Sequence, residues 1–481
     1  MIEINLIPEA KEICEASEYA KPFKCAVLSH EEAWDGYLDG FIGYTKKVHG
    51  VTLEKADGGI ELFCDRKLKR DEYIFDSQSG GIKLYASDSE GALYALSTAL
   101  QLLRPFGDKL SAPSVCIRDY PDKEYRGLMI DLARMWHPIK QVHKYIDLCF
   151  LYKIKYLHIH FIDDQSYTLP SKAFPEISTA GRHYTFEEIK ELNDYASSRG
   201  IVLIPEFEAP GHATSLTKSY RNVFANKIDG KSAVMYTENG DIITDNSIVC
   251  AGSKDTEKAI DTLIGEICET FPSSPYIHIG GDEANIKVWN NCSECRRYMS
   301  DNGIEDEYEL YSDFIGRVAK IVLAKGRTPI VWEGFPKKGA HRVPKETVVI
   351  AWESKYHLAP DLLAAGFKII NASWKPLYIV PHISKKWNAL DIMRWNVHRF
   401  ENWWDESDAY LNPITIAPTD KLLGAQLSVW EGNFELSVSY VLENLPALAE
   451  RSWNLNRRSD DAVFGEKHHC QMLIAGRLIG E

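Results

Sequence analysis

The sequence predicts an α/β chain, a (β/α)8 TIM barrel preceded by a small α+β domain. Three observations point there. After residue 120, eight short apolar runs alternate with amphipathic stretches. The runs are nearly continuous in apolarity, as expected of parallel strands covered on both faces. Acidic and aromatic residues gather just after the runs, and in a barrel those strand ends share the rim where active sites are built. The chain has 481 residues, enough for a barrel plus an accessory unit. The expected division is 1–120 for the accessory unit and 121–481 for the barrel with a C-terminal helical segment.

In the first unit, 73–77 and 82–86 read as antiparallel strands joined by a turn at Gly80-Gly81. Asp88 or Ser89 then caps a helix to about Leu103, with Leu93, Leu96, Leu100 and Leu103 on one face. Pro105, Pro113 and Pro121 punctuate the exit. The unit gathers no candidate chemistry.

The barrel strands follow in order. The first, 127–131, ends at Asp131 and is followed by Arg134 and a helix over 139–151. The second, 156–161, carries His158 and His160 and leads to Asp163 and Asp164. Thr185 caps a helix over 186–198. The third strand, 201–206, supplies Glu206, then Glu208 and Pro210-Gly211-His212. A helix over 256–270 opens at Ser253 or Asp255, and another covers 308–325. The fourth strand, 276–280, runs into Asp282 and Glu283. The fifth (329–332) and sixth (347–352) end in Trp332-Glu333 and Trp352-Glu353. Trp374 and Tyr378 follow the seventh, 367–372, and Glu431 follows the eighth, 424–430, which ends at Trp430.

A net charge of -14 argues against a nucleic-acid or anionic-membrane partner. No apolar run is long enough to span a bilayer. The opening Met1-Ile2-Glu3-Ile4-Asn5 lacks the basic-then-apolar pattern of a secretory signal, so a cytoplasmic protein with reduced thiols is the expectation. The ten cysteines show no framework spacing. Cys292-Ser293-Glu294-Cys295 has a zinc-like spacing, but with no second pair nearby its cysteines read as free thiols.

The sharpest chemical signal is the run from Tyr276 to Glu283, an apolar strand ending in two glycines and two carboxylates. The glycines let the backbone turn sharply and approach a ligand. Adjacent carboxylates repel, so one tends to keep its proton, and a protonated acid beside an ionised one suits glycoside cleavage. Aromatic rim residues offer faces to sugar rings, while an Arg and a few carboxylates take hydroxyls. Two other readings stand beside this one. His158, His160, Asp163 and His212 could serve a metal-dependent barrel hydrolase. A sugar-binding or scaffold protein could also use a catalytically dead barrel.

The barrel segment resembles the family 20 glycoside hydrolases, the β-N-acetylhexosaminidases. Their His-Xaa-Gly-Gly-Asp-Glu motif stands here as His278-Ile279-Gly280-Gly281-Asp282-Glu283. Further matches follow in the family's order: Arg126-Gly127 through Asp131 and Arg134, His158 through Gln165, Pro205-Glu206 with Pro210-Gly211-His212, and Ala447 through Arg451 with Trp453. The first unit resembles the domain preceding the family's barrel, at Glu90-Gly91-Ala92-Leu93-Tyr94. The chain departs from the pattern at Ala133-Arg134-Met135, Gln165-Ser166-Tyr167, Glu208 and Trp430-Glu431-Gly432.

The resemblance implies an exo-acting, retaining, substrate-assisted hydrolase of β-linked N-acetylhexosamine glycans or glycoconjugates. Asp282 would hold the acetamido N–H. Glu283 would be acid and then base, its pKa raised by Asp282. Arg134 would bind sugar hydroxyls, and Glu431 would reach them too. Asp163 and His212 would support the carboxylate pair, with His160 behind them. Trp332, Trp352 and Trp430 would wall the acetamido pocket, and Tyr378 would donate to the acetamido oxygen. No metal and no cofactor are expected, and a homodimer is allowed. Trp395, Trp403 and Trp404 offer either a further stacking surface or packing.

Overall fold

Side chains alternate inward and outward along eight parallel strands: β1 (Tyr125–Asp131), β2 (Tyr156–His160), β3 (Val202–Glu206), β4 (Tyr276–His278), β5 (Thr328–Trp332), β6 (Val348–Ala351), β7 (Lys368–Asn371) and β8 (Leu422–Val429). Strand β8 pairs with both β7 and β1, which closes the barrel. The structure is a computed structural model and describes residues 2–14, 18–78, 80–228, 234–236, 242–244, 247–383, 386–456 and 459–480.

The alternation builds two cores. Met129, Tyr156, Ile204, Ile330, Ile350 and Ile370 pack together inside the barrel. Their strand neighbours Leu128, Leu157, Leu203, Val331, Val349 and Ile369 join the core shared with the helices. Burial on both sides is why the strands read as unbroken apolar runs.

The helices begin where side chains can take orphan N–H groups. Thr185 forms a capping box with Glu188 ahead of Phe186–Ser197. Ser253, not Asp255, caps Lys254–Thr270 by accepting the Thr256 N–H, so this helix starts earlier than the sequence suggests. Among the described residues no helix is long and apolar enough to cross a membrane.

The small domain is a seven-stranded mixed sheet, with Tyr73–Asp76 antiparallel to Ile82–Ala86. Asp88 caps the helix Ser89–Leu102 by accepting from Gly91 N. The sheet meets the barrel at Asp119, which is fully buried. The Asp119 carboxylate receives the Tyr73 hydroxyl at 2.8 Å and the Trp453 indole N–H at 2.9 Å, and pairs with Lys153 Nζ at 3.4 Å. Burial pushes Lys153 down to about 8, against the pull of Asp119.

Candidate active site

Strand register brings the polar residues together. Asp131 lies opposite His160, His160 opposite Glu206, and Glu206 opposite His278. Partners in register on parallel strands share a face, so these four point the same way as the barrel-interior residues beneath them.

Glu206 is the hub. His160 Nδ1 approaches its Oε2 at 2.6 Å, His158 Nε2 approaches the same oxygen at 3.1 Å, and His278 Nδ1 lies 2.9 Å from Oε1. The Trp332 indole N–H also donates to Oε1. Burial opposes the Glu206 charge, but His278, His160 and His158 hold it well below the usual carboxylate range. The other nitrogen of His160 reaches Asp163 Oδ2 at 2.9 Å. Burial opposes the His160 charge too, yet Glu206 and Asp163 push its pKa up to about 10. Changing Glu206 to Gln removes the negative charge from beneath these histidines. The expected loss of unfolding free energy is about 3–5 kcal/mol, as for breaking a buried pair. Denaturant unfolding at neutral pH measures it, and a loss below about 1 kcal/mol, typical of an exposed pair, would remove Glu206 from the hub.

Asp163 passes the connection outward. It pairs with Arg134 Nη2 at 2.6 Å and with His212 Nδ1 at 3.2 Å. His212 Nε2 then stands 3.8 Å from Asp282 Oδ2 and 3.7 Å from Glu283 Oε2. Burial works to lower the His212 pKa, but Asp163, Asp282 and Asp164 push it up to about 10. The polar residues thus run as a chain, His278–Glu206–His160–Asp163–His212, ending at the carboxylate pair. His158, His160, Asp163 and His212 are strung along it rather than gathered about one point.

Gly280 and Gly281, at φ of 70° and 90°, turn the backbone after β4 so that both acids reach the rim. A Cβ on Gly280 would stand 2.0 Å from Glu208 Oε2. Gly280→Ala therefore combines a left-handed backbone with overpacking, and an expected destabilisation of about 2–5 kcal/mol. A shift of the urea midpoint checks it.

Asp282 is buried, whereas the Glu283 side chain is 51% exposed. Burial pushes Asp282 up to about 6; His212 opposes this and Glu283 adds to it. The sequence placed the raised pKa on Glu283. The structure also raises Asp282, because desolvation falls on a carboxyl that is turned inward. Glu208, fully buried, is pushed well above the usual carboxylate range by burial and then by Asp282 and Glu206.

His212, Glu283 and Glu431 take left-handed backbone angles, φ 50°, 38° and 54°. Such angles in non-glycine residues cost about 1–3 kcal/mol each and mark places where the surroundings dictate the backbone.

The pair opens into a cavity of about 210 Å3. Arg134, Asp282, Glu283 and Glu431 supply its polar lining; Trp352, Trp374, Tyr378, Val380 and Trp430 supply its apolar walls. This is smaller than the several hundred Å3 of a drug-sized site and suits one sugar ring better than an extended chain. Arg134 is held at Asp131 Oδ2 (3.2 Å), Asp163 Oδ2 (2.6 Å) and Glu431 Oε1 (3.7 Å), with its guanidinium over the Trp430 ring. Tyr378 belongs to a two-residue strand added beside the end of β8, and its ring stacks on Trp352 at 5.5 Å.

Trp332 is not among the lining residues. It packs from within the barrel against Trp352, Tyr378 and Trp430, with its indole N–H on Glu206. Trp395 is buried and donates to Arg399 O. Trp403 meets Trp374 edge-on, and Trp404 lies beneath Lys355 Nζ. Trp374 lines the cavity and Glu353 directly follows the Trp352 that lines it, neither having been singled out there from the sequence. Glu353 is buried, and burial, followed by Glu283 and Glu333, pushes it up to about 8. The signal for both was their position just after a strand. Glu333 accepts the backbone N–H groups of Ser354, Lys355 and Tyr356 and so fixes the turn after β6.

Residues 124–456 match the model of the glycosyl hydrolase family 20 catalytic domain, and residues 3–120 match domain 2 of the same family. A beta-hexosaminidase from Porphyromonas gingivalis is 31% identical over 426 residues, covering 82% of this chain and 52% of its own length. The human beta-hexosaminidase subunit beta is 28% identical over 514 residues, covering 98% of this chain and 85% of its own. The chain spans about half the length of the first curated relatives it matches. In fold, it superposes on a family 20 exo-beta-N-acetylglucosaminidase from Vibrio harveyi with a TM-score of 0.84 at 23% identity, covering 98% of this chain and 77% of that one.

Proposed function

The chain belongs to glycosyl hydrolase family 20, and from that premise we propose that it is a β-N-acetylhexosaminidase. It releases terminal N-acetylglucosamine or N-acetylgalactosamine from β-linked glycans or glycoconjugates, acting from the chain end and with retention of configuration. The observation that carries this reading is the buried Asp282 beside the half-exposed Glu283, in an aromatic cavity with room for one sugar ring.

Neither acid has to be the nucleophile, because in this reading the substrate supplies its own. The 2-acetamido oxygen attacks the anomeric carbon as Glu283 gives its proton to the departing glycosidic oxygen. Asp282, as the anion, accepts the acetamido N–H and stabilises the charge that grows on the oxazolinium ring. The Tyr378 hydroxyl steadies the attacking oxygen. Glu283, now ionised, takes a proton from water as that water opens the ring. Arg134 and Glu431 take sugar hydroxyls, with Arg134 held as a fixed fork by its carboxylate partners.

Paired aryl glycosides test the proposal. Nitrophenyl N-acetyl-β-glucosaminide, its galacto counterpart, or both should be cleaved, with the β-hemiacetal as first product by NMR. The matching β-glucoside, which lacks the acetamido group, should resist. Cleavage of the glucoside at a comparable rate would remove the substrate's own group from the mechanism.

A further inference from the structure

We propose that Cys250, Cys292 and Cys295 form a binding site for a zinc ion that braces the loops behind the carboxylate pair. The three thiols are fully buried, and their sulfurs all lie within 4.8 Å of one another. Cys250 Sγ is 3.5 Å from Cys292 Sγ and 3.7 Å from Cys295 Sγ. Thiolates around a tetrahedral zinc, with Zn–S near 2.3 Å, stand about 3.8 Å apart, so three corners of such a site are nearly in place.

The backbone is shaped for it from both sides. Cys292 immediately precedes the helix Ser293–Asn302, and Cys295 lies in its first turn, so the CxxC pair converges at a helix start. The third sulfur arrives from a loop 42 residues earlier, which is why sequence spacing alone left the CxxC without partners. A Cβ on Gly252 would stand 2.5 Å from Glu294 O and 2.6 Å from Cys295 Cα. The turn after Cys250 is therefore pressed onto the CxxC turn in a way that only glycine permits.

Polar groups reach the three sulfurs at the edge of the apolar core. The Lys227 backbone N–H donates to Cys292 Sγ at 3.2 Å. The Cys295 thiol donates to Asn226 Oδ1 at 3.8 Å and the Cys250 thiol to Glu294 Oε2 at 3.7 Å, protons that zinc would displace. Glu294 keeps 26% of its side chain exposed, and its carboxylate or a water is the fourth ligand. The clip joins the loop of Cys250 to the segment that follows Asp282 and Glu283. The Trp289 indole N–H donates to Val249 O at 2.9 Å, Val249 N donates to Pro210 O at 2.9 Å, and Ala213 N donates to Ser247 O at 3.1 Å. The brace thus reaches both flanks of His212 without touching the reacting groups. It stands independently of the glycosidase reading.

Elemental analysis of the full chain, purified without chelator from zinc-supplemented culture, tests the site. About one zinc per chain is expected for a single closed site. Cys250→Ser and Cys295→Ser should each lower that content at least tenfold, while Cys470→Ser should leave it unchanged. Should the serine variants not fold, the unaltered protein still decides. Cobalt replacement should give a thiolate-to-cobalt charge-transfer band, and metal release by a mercurial should lower the melting temperature, since binding energy at such a site is folding energy. A zinc-free protein, zinc retained in Cys250→Ser, a cobalt form without the band, or a disulfide between two of the three cysteines would overturn the proposal.

Discussion

Glu283→Gln is expected to lower kcat/KM for an alkyl or methylumbelliferyl N-acetyl-β-glycoside by about 10³-fold, within the range for loss of a general acid and base. For a dinitrophenyl glycoside, whose leaving group departs without protonation, the loss in the first step should be far smaller, and deacylation-like opening of the oxazolinium ring should become limiting. The left-handed backbone at Glu283 and the side chain's half exposure present its carboxyl to the cavity, where a departing oxygen can take the proton. Steady-state and burst kinetics over a leaving-group series separate the two steps. Equal losses across the series would take the acid role away from Glu283.

Asp282→Asn is expected to lower kcat by about 10²–10³-fold, comparable to losing one preorganised group that stabilises transition-state charge. The amide keeps the shape of the carboxyl but cannot balance a positive oxazolinium ring, so a thiazoline mimic of that ring should bind much more weakly. The pH profile gives a second readout. Burial raises Asp282 to about 6, and the proposed mechanism needs its anion, so kcat/KM should rise as pH increases through about 6. The same shift acts on stability in the opposite direction. With a folded pKa above the unfolded value, the folded state binds the proton more tightly. Its stabilising contribution is complete at low pH and lost as pH rises through the folded value near 6. Asp282→Asn should abolish both slopes. Unchanged thiazoline inhibition would remove Asp282 from its assigned place.

Much of this was legible in the chain. The barrel strands announced themselves because burial on both faces leaves an apolar run that needs no tertiary information to see. Gly280-Gly281 before Asp282-Glu283 predicts a turn, and the backbone takes it at both glycines. What escaped the sequence depends on register and burial. Glu206 becomes a hub only because β2, β3 and β4 align it with His160 and His278. Burial raises Asp282, and adjacency in sequence does not say which of two neighbours faces inward. Trp332 and Trp352 look alike at the ends of consecutive strands, yet one packs inside the barrel and the other lines the cavity. Cys250 and the CxxC pair are separated by the whole helix Lys254–Thr270 and strand β4, and only the fold shows that they meet.

The joint at Asp119 has a consequence for dissecting the protein. That one carboxylate belongs to the small domain, its ammonium partner Lys153 follows the first barrel helix, and its indole donor Trp453 ends the last helix of the barrel. A fragment starting after residue 120 would lose Asp119 and Tyr73 together, opening Lys153 to water and leaving the Trp453 indole N–H without its acceptor. The N-terminal sheet thus supplies the counter-ion and acceptor on which the end of the first barrel helix and the end of Phe434–Trp453 rest, so a barrel expressed alone should be less stable than the full chain.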